Sequence, residues 1–355
     1  MPQGAQSFLT ADELSADHGE TLRLCQCSGC GLVQFDCVPV KYYRDVIRAG
    51  GYSSTMKELR TAQYRHFIEL CHLKGKKIIE VGCGQGEFLQ TLTGFPVQVF
   101  GIEHKKDLVE TALQKGLNVR QNFTENEDTM LVDGPFDAFL SFNFLEHQPF
   151  PNVMLRCIFN NLKDDGVGLV TVPSFEYILE HHSFYELVRD HIANYTQETL
   201  AFLMQKNGFD ILENTIVNRD TLAVIVKKRP VIDVEKLQSH FNSIQEQLVS
   251  YLGLFHGRIA VWGASHQGLT LISTMRIEDR IAYIIDSAQF KQGKFTPASH
   301  LPVVSPDYVK SHQVESILIL APGYINEIKQ QIESLWGNEI KIAALDGDKL
   351  VHLNF

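Results

Sequence analysis

The stretch IIEVGCGQGEFL (78–89) passes from a short apolar run into a loop with three glycines, Gly82, Gly84 and Gly86. The apolar run predicts a buried strand, and the residues after the loop predict a helix. Glycine lets the backbone turn sharply and approach a ligand without a Cβ in the way. The free N–H groups at the start of the helix would face that ligand. The segment therefore predicts a strand, loop and helix that bind a small molecule.

Two acidic residues make this prediction more specific. Glu80 lies inside the strand, where a purely structural strand would bury an apolar residue. Glu103 ends the next apolar run about twenty residues after the loop, where a carboxylate can accept both ribose hydroxyls of an adenosine. The loop lacks the third glycine of G-x-G-x-x-G, so it makes no room for a pyrophosphate. An NAD site, or a Rossmann-like fold without a ligand, remains the alternative.

Short apolar runs alternate with amphipathic stretches from residue 74 to about 228, a pattern typical of a parallel α/β sheet. The predicted strands of this region are 78–81, 97–102, 138–142, 168–172 and 221–226. The predicted helices include 112–116 and 154–166, the second ending at Gly166. After Gly257 the alternation restarts, with predicted strands in RIAVWGA, AYIID, ESILILAP and KIAAL.

Composition shifts divide the chain into four parts. We predict a small cysteine-containing lobe over residues 1–45 and a ligand-binding α/β domain over 46–230. A connecting helix over 231–256, with apolar residues spaced by three and four, leads to a second Rossmann-like domain over 257–355. The fold class is therefore α/β with two such domains in series.

Composition also excludes several classes of protein. Of the 355 residues, 44% are hydrophobic and 21% are charged, so a disordered or fibrous chain is excluded. The net charge of −10 without a basic run argues against a nucleic acid partner. No apolar stretch approaches the roughly 20 residues of a bilayer span, and the first residues lack the features of a signal peptide. Seven cysteines, four of them close together, fit a reducing compartment, so we expect a cytoplasmic protein without a membrane partner.

The motif E-x-G-x-G-x-G at 80–86 resembles the first motif of class I S-adenosylmethionine-dependent methyltransferases. The run FDAFLSFNFLEHQPFP (136–151) is similar to the fourth strand of that family, with Asn143 where a polar residue faces the methionine part of the cofactor. The resemblance implies that S-adenosyl-L-methionine binds at Glu80, the three glycines, Glu103 and Asn143. His147 follows closely and is a candidate for substrate binding; the alternative for Glu146 and His147 is a helix N-cap and a surface histidine.

The flanking parts resemble a family of three-domain sugar C-methyltransferases with a zinc-binding N-terminal domain. CSGCGLVQF (27–35) is similar to the second zinc knuckle of that family, which implies Cys27 and Cys30 as metal ligands. The first knuckle is missing, although tetrahedral zinc takes four ligands. Cys25 and Cys37 could complete a set of four thiolates, but their spacing is not that of the family. The alternative is a small hydrophobic lobe with free thiols, so zinc stays an open expectation.

In the same family a Y-x-E-H-x-x-Y-F element supplies the catalytic base. Here VRDHIANY (188–195) occupies that register, so the resemblance implies His191 as the general base and Asp190 as its assistant. Val188 stands in place of the tyrosine that would touch the acceptor, which keeps transfer to oxygen or nitrogen open. His181 and Tyr195 are further candidates for substrate binding in this segment.

Two other segments extend the resemblance. Tyr52 and Ser54 belong to a Y-S-S stretch similar to one that lies over the methionine end of the cofactor. In the last domain VWGASHQG (261–268) is similar to the glycine loop of the family, with Gln267 in place of the usual lysine. Losing that cation weakens the case for a phosphate at this loop. Two alternatives are left open for this domain: it binds a nucleotide at the loop, or it only forms a wall of the active-site cleft.

The sequence therefore predicts a methyltransferase that uses S-adenosyl-L-methionine. Its acceptor is expected to be a small molecule, most simply a carbon of a nucleotide-linked keto-deoxysugar or a related natural-product intermediate. An O- or N-methyltransferase on the same scaffold is the first alternative. A cofactor-binding protein without catalytic activity is the second.

Overall fold

The structure, a computed structural model, describes residues 1–2, 4, 8–44, 53–337 and 339–354. Tyr52, predicted to contact the cofactor, lies outside the described residues. The chain forms two compact units, Met1–Val231 and Ile232–Phe355. None of the described helices combines the length and hydropathy that a bilayer span requires.

The first unit begins with a small lobe and continues into an α/β domain. Its strands are β1 (Leu24–Gln26), β2 (Val33–Phe35), β3 (Lys77–Val81), β4 (Gln98–Glu103), β5 (Val119–Gln121), β6 (Phe136–Phe142), β7 (Leu162–Pro173), β8 (Ala193–Asn194), β9 (Phe209–Val217) and β10 (Thr221–Lys228). Its helices are α1 (Ser54–Leu70), α2 (Glu87–Leu92), α3 (Lys106–Gln114), α4 (Pro151–Asn160), α5 (Phe175–Glu180) and α6 (Gln197–Lys206).

Seven of these strands form the main sheet, in the order β5-β4-β3-β6-β7-β10-β9. The first five run parallel, whereas β10 is antiparallel to both of its neighbours. All seven residues of β6 are buried, because helices cover both faces of a parallel sheet. The order reverses between β3 and β6, and ligands of open α/β sheets bind at such a reversal, beyond the carboxyl ends of the strands.

A second, three-stranded sheet of order β1-β2-β8 joins the N-terminal lobe to the α/β domain. Strand β2 pairs antiparallel with β8, so that Val33 lies opposite Asn194 and Gln34 opposite Ala193. The backbone N–H of Phe35 also donates to the carbonyl oxygen of Ile192 at 3.1 Å. The lobe thereby fixes the backbone immediately after His191.

The second unit contains the strands β11 (Ile259–Trp262), β12 (Ile281–Ile285), β13 (Val303–Val304), β14 (Ser316–Ile319), β15 (Lys341–Asp346) and β16 (Lys349–His352). Its helices are α7 (Glu235–Leu252), α8 (His266–Met275) and α9 (Ile325–Trp336). The sheet order is β13-β12-β11-β14-β15-β16, parallel except for β16. The predicted connecting helix corresponds to α7, whose Leu248 and Tyr251 belong to the core of this unit.

The predicted α/β fold class is confirmed, but one predicted helix is wrong. The segment 154–166 was expected to be helical up to Gly166, whereas α4 ends at Asn160 and β7 begins at Leu162. Asn161 ends the helix because its side-chain amide donates to the carbonyl oxygens of Cys157 and Thr129. The polar run after it, with the pattern of an exposed helix face, is the exposed start of a long strand.

Candidate active site

The glycine loop lies at the carboxyl end of β3, where the strand order reverses. Gly82, Gly84 and Gly86 have φ angles of 71°, 58° and 83°, a region that other residues rarely adopt. A Cβ at Gly86 would lie 2.2 Å from Leu117 Cδ1, and one at Gly82 would lie 3.0 Å from the ring of Phe144. The loop therefore depends on glycine for its backbone conformation and for its close packing.

Glu103 ends β4 beside this loop, with 7% of its surface exposed. Its Oε2 accepts a hydrogen bond from the N–H of Gly84 at 2.9 Å, and its Oε1 accepts one from the N–H of Lys105 at 2.9 Å. These bonds fix the carboxylate at the mouth of the loop, and each oxygen keeps further acceptor capacity. Glu80 is fully buried in β3, paired with Gly101 of β4 and Leu140 of β6.

An open cleft extends from the glycine loop across the ends of the neighbouring strands. It is lined by Arg44, Val81, Gly82, Gly84, Gln85, Glu87, Ile102, Glu103, His104, Leu108, Asn122, Phe123, Thr124, Phe142, Asn143 and Phe144. Asn143 has a positive φ of 47°, and its Oδ1 accepts a hydrogen bond from the hydroxyl of Thr171 at 3.2 Å. Of the predicted cofactor residues, the structure brings Gly82, Gly84, Glu103 and Asn143 to this cleft.

Sequence reasoning missed the aromatic side of the cleft. The ring of Phe123 contacts the rings of His104 and Phe144 edge-on, with centroid distances of 5.5 and 6.3 Å. The guanidinium carbon of Arg44 lies 5.3 Å from the Phe123 centroid. Phe123 follows β5, a strand of three residues with too little apolar pattern to be recognised. The available signal for this side of the cleft was an aromatic residue shortly after the third parallel strand of the unit.

Ser54 and the serine before it are not among the residues that line the cleft. Ser54 is the exposed first residue of α1. Ser53 is the helix cap, whose Oγ accepts a hydrogen bond from the N–H of Met56 at 3.2 Å. In the described residues this stretch therefore has a structural role, and its contact with the cofactor stays a prediction.

His147 and Glu146 form a buried turn directly after the cleft residues Asn143 and Phe144. The alternative of a surface histidine is wrong, because His147 is 6% exposed and Glu146 is 2% exposed. The Nδ1–H of His147 donates to the backbone carbonyl oxygen of Asp190 at 2.9 Å. Burial lowers the pKa of His147 below its ordinary value, so its ring is neutral at pH 7.

His191 lies against this turn. Its ring meets that of His147 edge-on, with centroids 4.7 Å apart. It lines a small pocket together with Glu146, Pro173, Phe175, Ile178, Ala193 and Asn194. Burial, and to a lesser extent His147, lower the pKa of His191 to about 3, whereas the charge of Asp190 acts in the opposite direction. His191 is therefore neutral at pH 7 and able to accept a proton.

The N-terminal lobe holds the segment that carries His191. The hydroxyl of Tyr42 donates to Oδ1 of the buried Asp190 at 2.8 Å, and Arg189 pairs with Glu20 at 2.6 Å. The pairing of β2 with β8 continues these contacts on the other side of His191. The side chain of Asp190 thus contacts Tyr42 of the lobe, and its carbonyl oxygen contacts His147. Because Asp190 directly precedes His191, it connects the lobe to both histidines.

The other two predicted substrate residues are placed differently. His181 lies exposed at the end of α5, stacked on Tyr177 at a centroid distance of 4.0 Å. Tyr195 is 1% exposed and belongs to the core of the first unit. Its hydroxyl has no hydrogen-bond partner among the residues that the structure describes, and burial raises its pKa. His181 does not line the small pocket. Tyr195 does not line it either and is part of the core of the first unit.

Cys27 and Cys30 lie on the turn between β1 and β2. The N–H of Gly31 donates to the carbonyl oxygen of Cys27 at 2.9 Å, and backbone N–H groups of the turn lower the pKa of the Cys27 thiol. Within the part of the chain that the structure describes, no third cysteine, histidine or carboxylate joins these two thiols in a group compact enough to hold a metal. Two thiols do not supply the four ligands of structural zinc, so the described lobe does not fit a zinc site.

The second unit has a glycine loop of its own. Gln267, which follows it, lines a separate cleft together with Trp262, Gly263, Ser265, Asp286, Ser287, Ala288, Lys291, Ala321, Pro322, Gly323, Tyr324, Glu327, Ile328 and Gln331. Asp286 directly follows β12, the strand next to the loop, and accepts hydrogen bonds from the N–H of Ala264 and from Lys291 Nζ, both at 2.9 Å. The function of this loop stays open.

Comparison with known proteins adds to this geometry. A family profile described as a methyltransferase domain matches residues 52–214, which contain the glycine loop, the cleft and both histidines. The chain is an S-adenosylmethionine-dependent methyltransferase. A second profile, described as a C-methyltransferase C-terminal domain, matches residues 231–344 of this methyltransferase. The predicted enzyme class and cofactor are thereby confirmed.

Relatives of the methyltransferase include enzymes of two kinds. It is 21% identical to C-methyltransferase NovU of Streptomyces niveus over 301 residues, which cover 74% of this chain and 72% of NovU. It is 31% identical to the ubiquinone biosynthesis O-methyltransferase of Xanthomonas axonopodis pv. citri (strain 306) over 97 residues, which cover 26% of this chain and 41% of that enzyme. A solved SAM-dependent methyltransferase from Aquifex aeolicus superposes with a TM-score of 0.40 and 17% identity, over 48% of this chain and 92% of that structure.

Proposed function

We propose that this methyltransferase methylates a carbon beside a keto group in a small molecule, a nucleotide-linked keto-deoxysugar or a related natural-product intermediate. The observation that carries the proposal is the position of His191 in a small pocket beside the cofactor cleft. Asn143 and Phe144 line the cleft, and Glu146, two residues later, lines the pocket with His191. The pocket has room for a water-sized group only, about 10 Å³, so the acceptor would lie at its mouth, next to the methionine end of the cofactor.

The cofactor cleft fits S-adenosyl-L-methionine by its own chemistry. The carboxylate of Glu103, held by the N–H groups of Gly84 and Lys105, has the remaining acceptor capacity for ribose hydroxyls. Phe123 and Leu108 offer apolar surface to an adenine ring. When bound, the cofactor supplies a methyl group that is already activated for displacement, so the protein mainly positions the acceptor and removes a proton.

His191 is the residue we assign to proton removal. A carbon beside a keto group must lose a proton before it becomes a nucleophile, and a neutral imidazole is the form that accepts one. The burial that keeps His191 neutral also weakens it as a base. The charge of Asp190 raises the pKa of His191 toward its ordinary value, which gives Asp190 its assisting role. The carbon–hydrogen bond breaks as the proton passes to His191, and its electron pair forms an enolate with the keto group. The enolate carbon would then take the methyl group, leaving S-adenosylhomocysteine.

The test is the variant His191→Asn, with His182→Asn as the matched control, since His182 is exposed on the same segment. We expect His191→Asn to bind S-adenosylhomocysteine with unchanged affinity, measured by calorimetry. Turnover of a thymidine diphosphate-linked keto-deoxysugar should fall at least about a hundredfold. The control should keep both properties. Unchanged turnover in His191→Asn would reject its role as base.

Transfer to oxygen is the second candidate, because several relatives are O-methyltransferases and Val188 stands where the acceptor-contacting tyrosine was expected. The two reactions differ in one property that needs no methyl donor. An enzyme that removes the carbon-bound proton incorporates deuterium from the solvent into the keto-sugar, whereas an oxygen-specific enzyme does not. Mass spectrometry of the acceptor after incubation in deuterium oxide separates them. The absence of exchange together with methylation of a hydroxyl would favour the oxygen enzyme.

A further inference from the structure

We propose that Glu146, His147 and His191 form a binding site for a divalent transition-metal ion, distinct from the cysteine turn of the N-terminal lobe. The carboxylate and imidazole ligand atoms of these three residues all lie within 4.8 Å of one another. Within the residues that the structure describes, this is the group of histidine, cysteine and carboxylate side chains compact enough to hold an ion. The proposal goes beyond methyl transfer itself, and only its consequence for activity rests on the proposed function.

The distances suit an ion after a small adjustment. Nε2 of His147 lies 4.0 Å from Oε1 of Glu146, and the two imidazole rings meet edge-on at 4.7 Å. Metal–nitrogen and metal–oxygen bonds of about 2.1 Å bring neighbouring ligand atoms to roughly 3.4 Å in a tetrahedral site. Binding therefore draws the three side chains together by about an ångström, within reach of side-chain rotation.

The orientation of His147 is already that of a metal ligand. Its Nδ1–H donates to the carbonyl oxygen of Asp190, which leaves the lone pair on Nε2, the atom nearer to Glu146. A metal-bound histidine typically donates its other ring N–H to a carbonyl or carboxylate in this way. Asp190 is itself held by Tyr42, so the support for the ligand extends into the lobe.

A further observation suggests where a molecule bound to the ion would lie. Glu146 and His191 line the small pocket, and so does Asn194, whose buried amide Nδ2 finds no hydrogen-bond partner in the described part of the chain. The side chain of Asn194 is 8% exposed, so this donor has no bulk solvent to satisfy it. An oxygen atom of a water or an acceptor on the ion would supply the missing partner.

The ligand set favours particular ions. Two imidazoles and one carboxylate suit Zn²⁺, Co²⁺ or Fe²⁺ better than Mg²⁺ or Ca²⁺, which prefer oxygen ligands. Because a bound ion takes the lone pair of His191, metal binding and proton removal by His191 exclude one another. On the proposed function, a loaded site is therefore inactive, and removing the ion restores activity.

The experiment is a cobalt titration of the full chain after treatment with EDTA, followed by visible absorption. Two of the four thiols of the lobe, those of the cysteine turn, are removed as competitors with the double variant Cys27→Ser/Cys30→Ser, which serves as the background. We expect one equivalent of Co²⁺ to give a visible d–d spectrum without a thiolate-to-cobalt band in the near ultraviolet. In that background Glu146→Gln and His191→Asn should each weaken binding by more than the roughly 10–100-fold that outer ligand partners cost. The control His182→Asn should bind as the background does.

Two results would overturn the site: no d–d spectrum in the background variant, or equal affinity in Glu146→Gln, His191→Asn and His182→Asn. Folding of each variant is checked by its affinity for S-adenosylhomocysteine, since the cofactor cleft does not include the three ligands. Methyl transfer by the unaltered chain, measured with and without Zn²⁺, then tests the proposed function separately. Inhibition by Zn²⁺ supports both proposals, whereas activation supports the metal site and overturns His191 as the base.

Discussion

The two α/β units of the chain place a carboxylate on a glycine loop in nearly the same way. In the first unit Glu103 ends the strand beside the loop and accepts the N–H of Gly84. In the second unit Asp286 follows β12 and accepts the N–H of Ala264, also at 2.9 Å. Both loops lie at the carboxyl ends of parallel strands, where α/β folds bind ligands.

The units differ in what else satisfies the carboxylate. Asp286 pairs with Lys291 at 2.9 Å, and its other oxygen accepts the N–H of Ala288. Lys291 also donates to the carbonyl oxygen of Ala264. It therefore joins the loop to Asp286 on the side that lines the cleft. Glu103 is held by two backbone N–H groups and faces an open cleft. In both units the fold provides the position of the carboxylate, whereas the neighbouring groups determine how much hydrogen-bond acceptor capacity it keeps.

The largest difference between the units should appear when each carboxylate is removed. Glu103→Ala loses the charged acceptor for ribose hydroxyls, and hydrogen bonds to a charged group contribute about 1.5–3 kcal/mol each. We expect affinity for S-adenosylhomocysteine to fall about a hundredfold, measured by calorimetry. Asp286→Ala should leave that affinity unchanged. An equal loss in both variants would show that the second loop also serves the cofactor.

The next-largest effect is expected on the stability of the second unit, from a change at one glycine of its loop. A Cβ at Gly268 would lie 2.7 Å from the carbonyl oxygen of Gly263, a backbone atom that cannot turn away. Gly268→Ala should therefore lower the free energy of unfolding of the second unit by about 1–3 kcal/mol, as overpacking does. Affinity for S-adenosylhomocysteine should not change. Urea unfolding followed by tryptophan fluorescence reports on this unit, because Trp262 lies in its core and the partly buried Trp336 packs against that core. A wild-type midpoint would contradict the packing argument.

A third contrast uses one aromatic residue beside each carboxylate. Phe123 lines the cofactor cleft, whereas Phe290 of the second unit is 72% exposed and adjoins Lys291. Stacking of a base on an aromatic ring contributes about 1–3 kcal/mol. Phe123→Ala should weaken the binding of S-adenosylhomocysteine about tenfold, and Phe290→Ala should leave it unchanged. If both variants bound normally, adenine would have to lie elsewhere in the cleft.

The smallest effect is expected for the cation itself. Lys291 is about one-third exposed, and partly exposed ion pairs contribute only about 1 kcal/mol or less. Lys291→Met should lower the free energy of unfolding of the second unit by that amount, measured by urea unfolding. The same variant should also show whether the Asp286 carboxylate, released from its ion pair with Lys291, acquires affinity for adenosine. A loss of several kcal/mol would mean that the lysine organises the whole loop.

The sequence was most informative where the signal is local. The glycine spacing and the acid that ends the following strand predicted the loop and the position of Glu103, because turn geometry and strand pattern act over a few residues. The helix predicted over 154–166 was wrong because charged residues at the start of a strand have the composition of a helix surface. Composition alone does not separate these two cases.

The parts that were missed depend on distant contacts. Phe123 follows a strand of three residues, and its role depends on His104 and Phe144 meeting it in space. The hydrogen bond between His147 and the carbonyl of Asp190 joins residues 43 positions apart. The family resemblance identified both histidines as candidates, but their edge-on contact belongs to the tertiary structure.

The pairing of β2 with β8 has a consequence for how the N-terminal lobe tolerates change. A ladder of backbone hydrogen bonds does not depend on which side chains the strands carry. A lobe that contributes such a ladder can lose its thiols while it still positions the neighbouring polypeptide. Trimming away its first forty residues would be far more harmful: donor recognition would survive, but the histidine proposed as the base would lie on an unsupported loop.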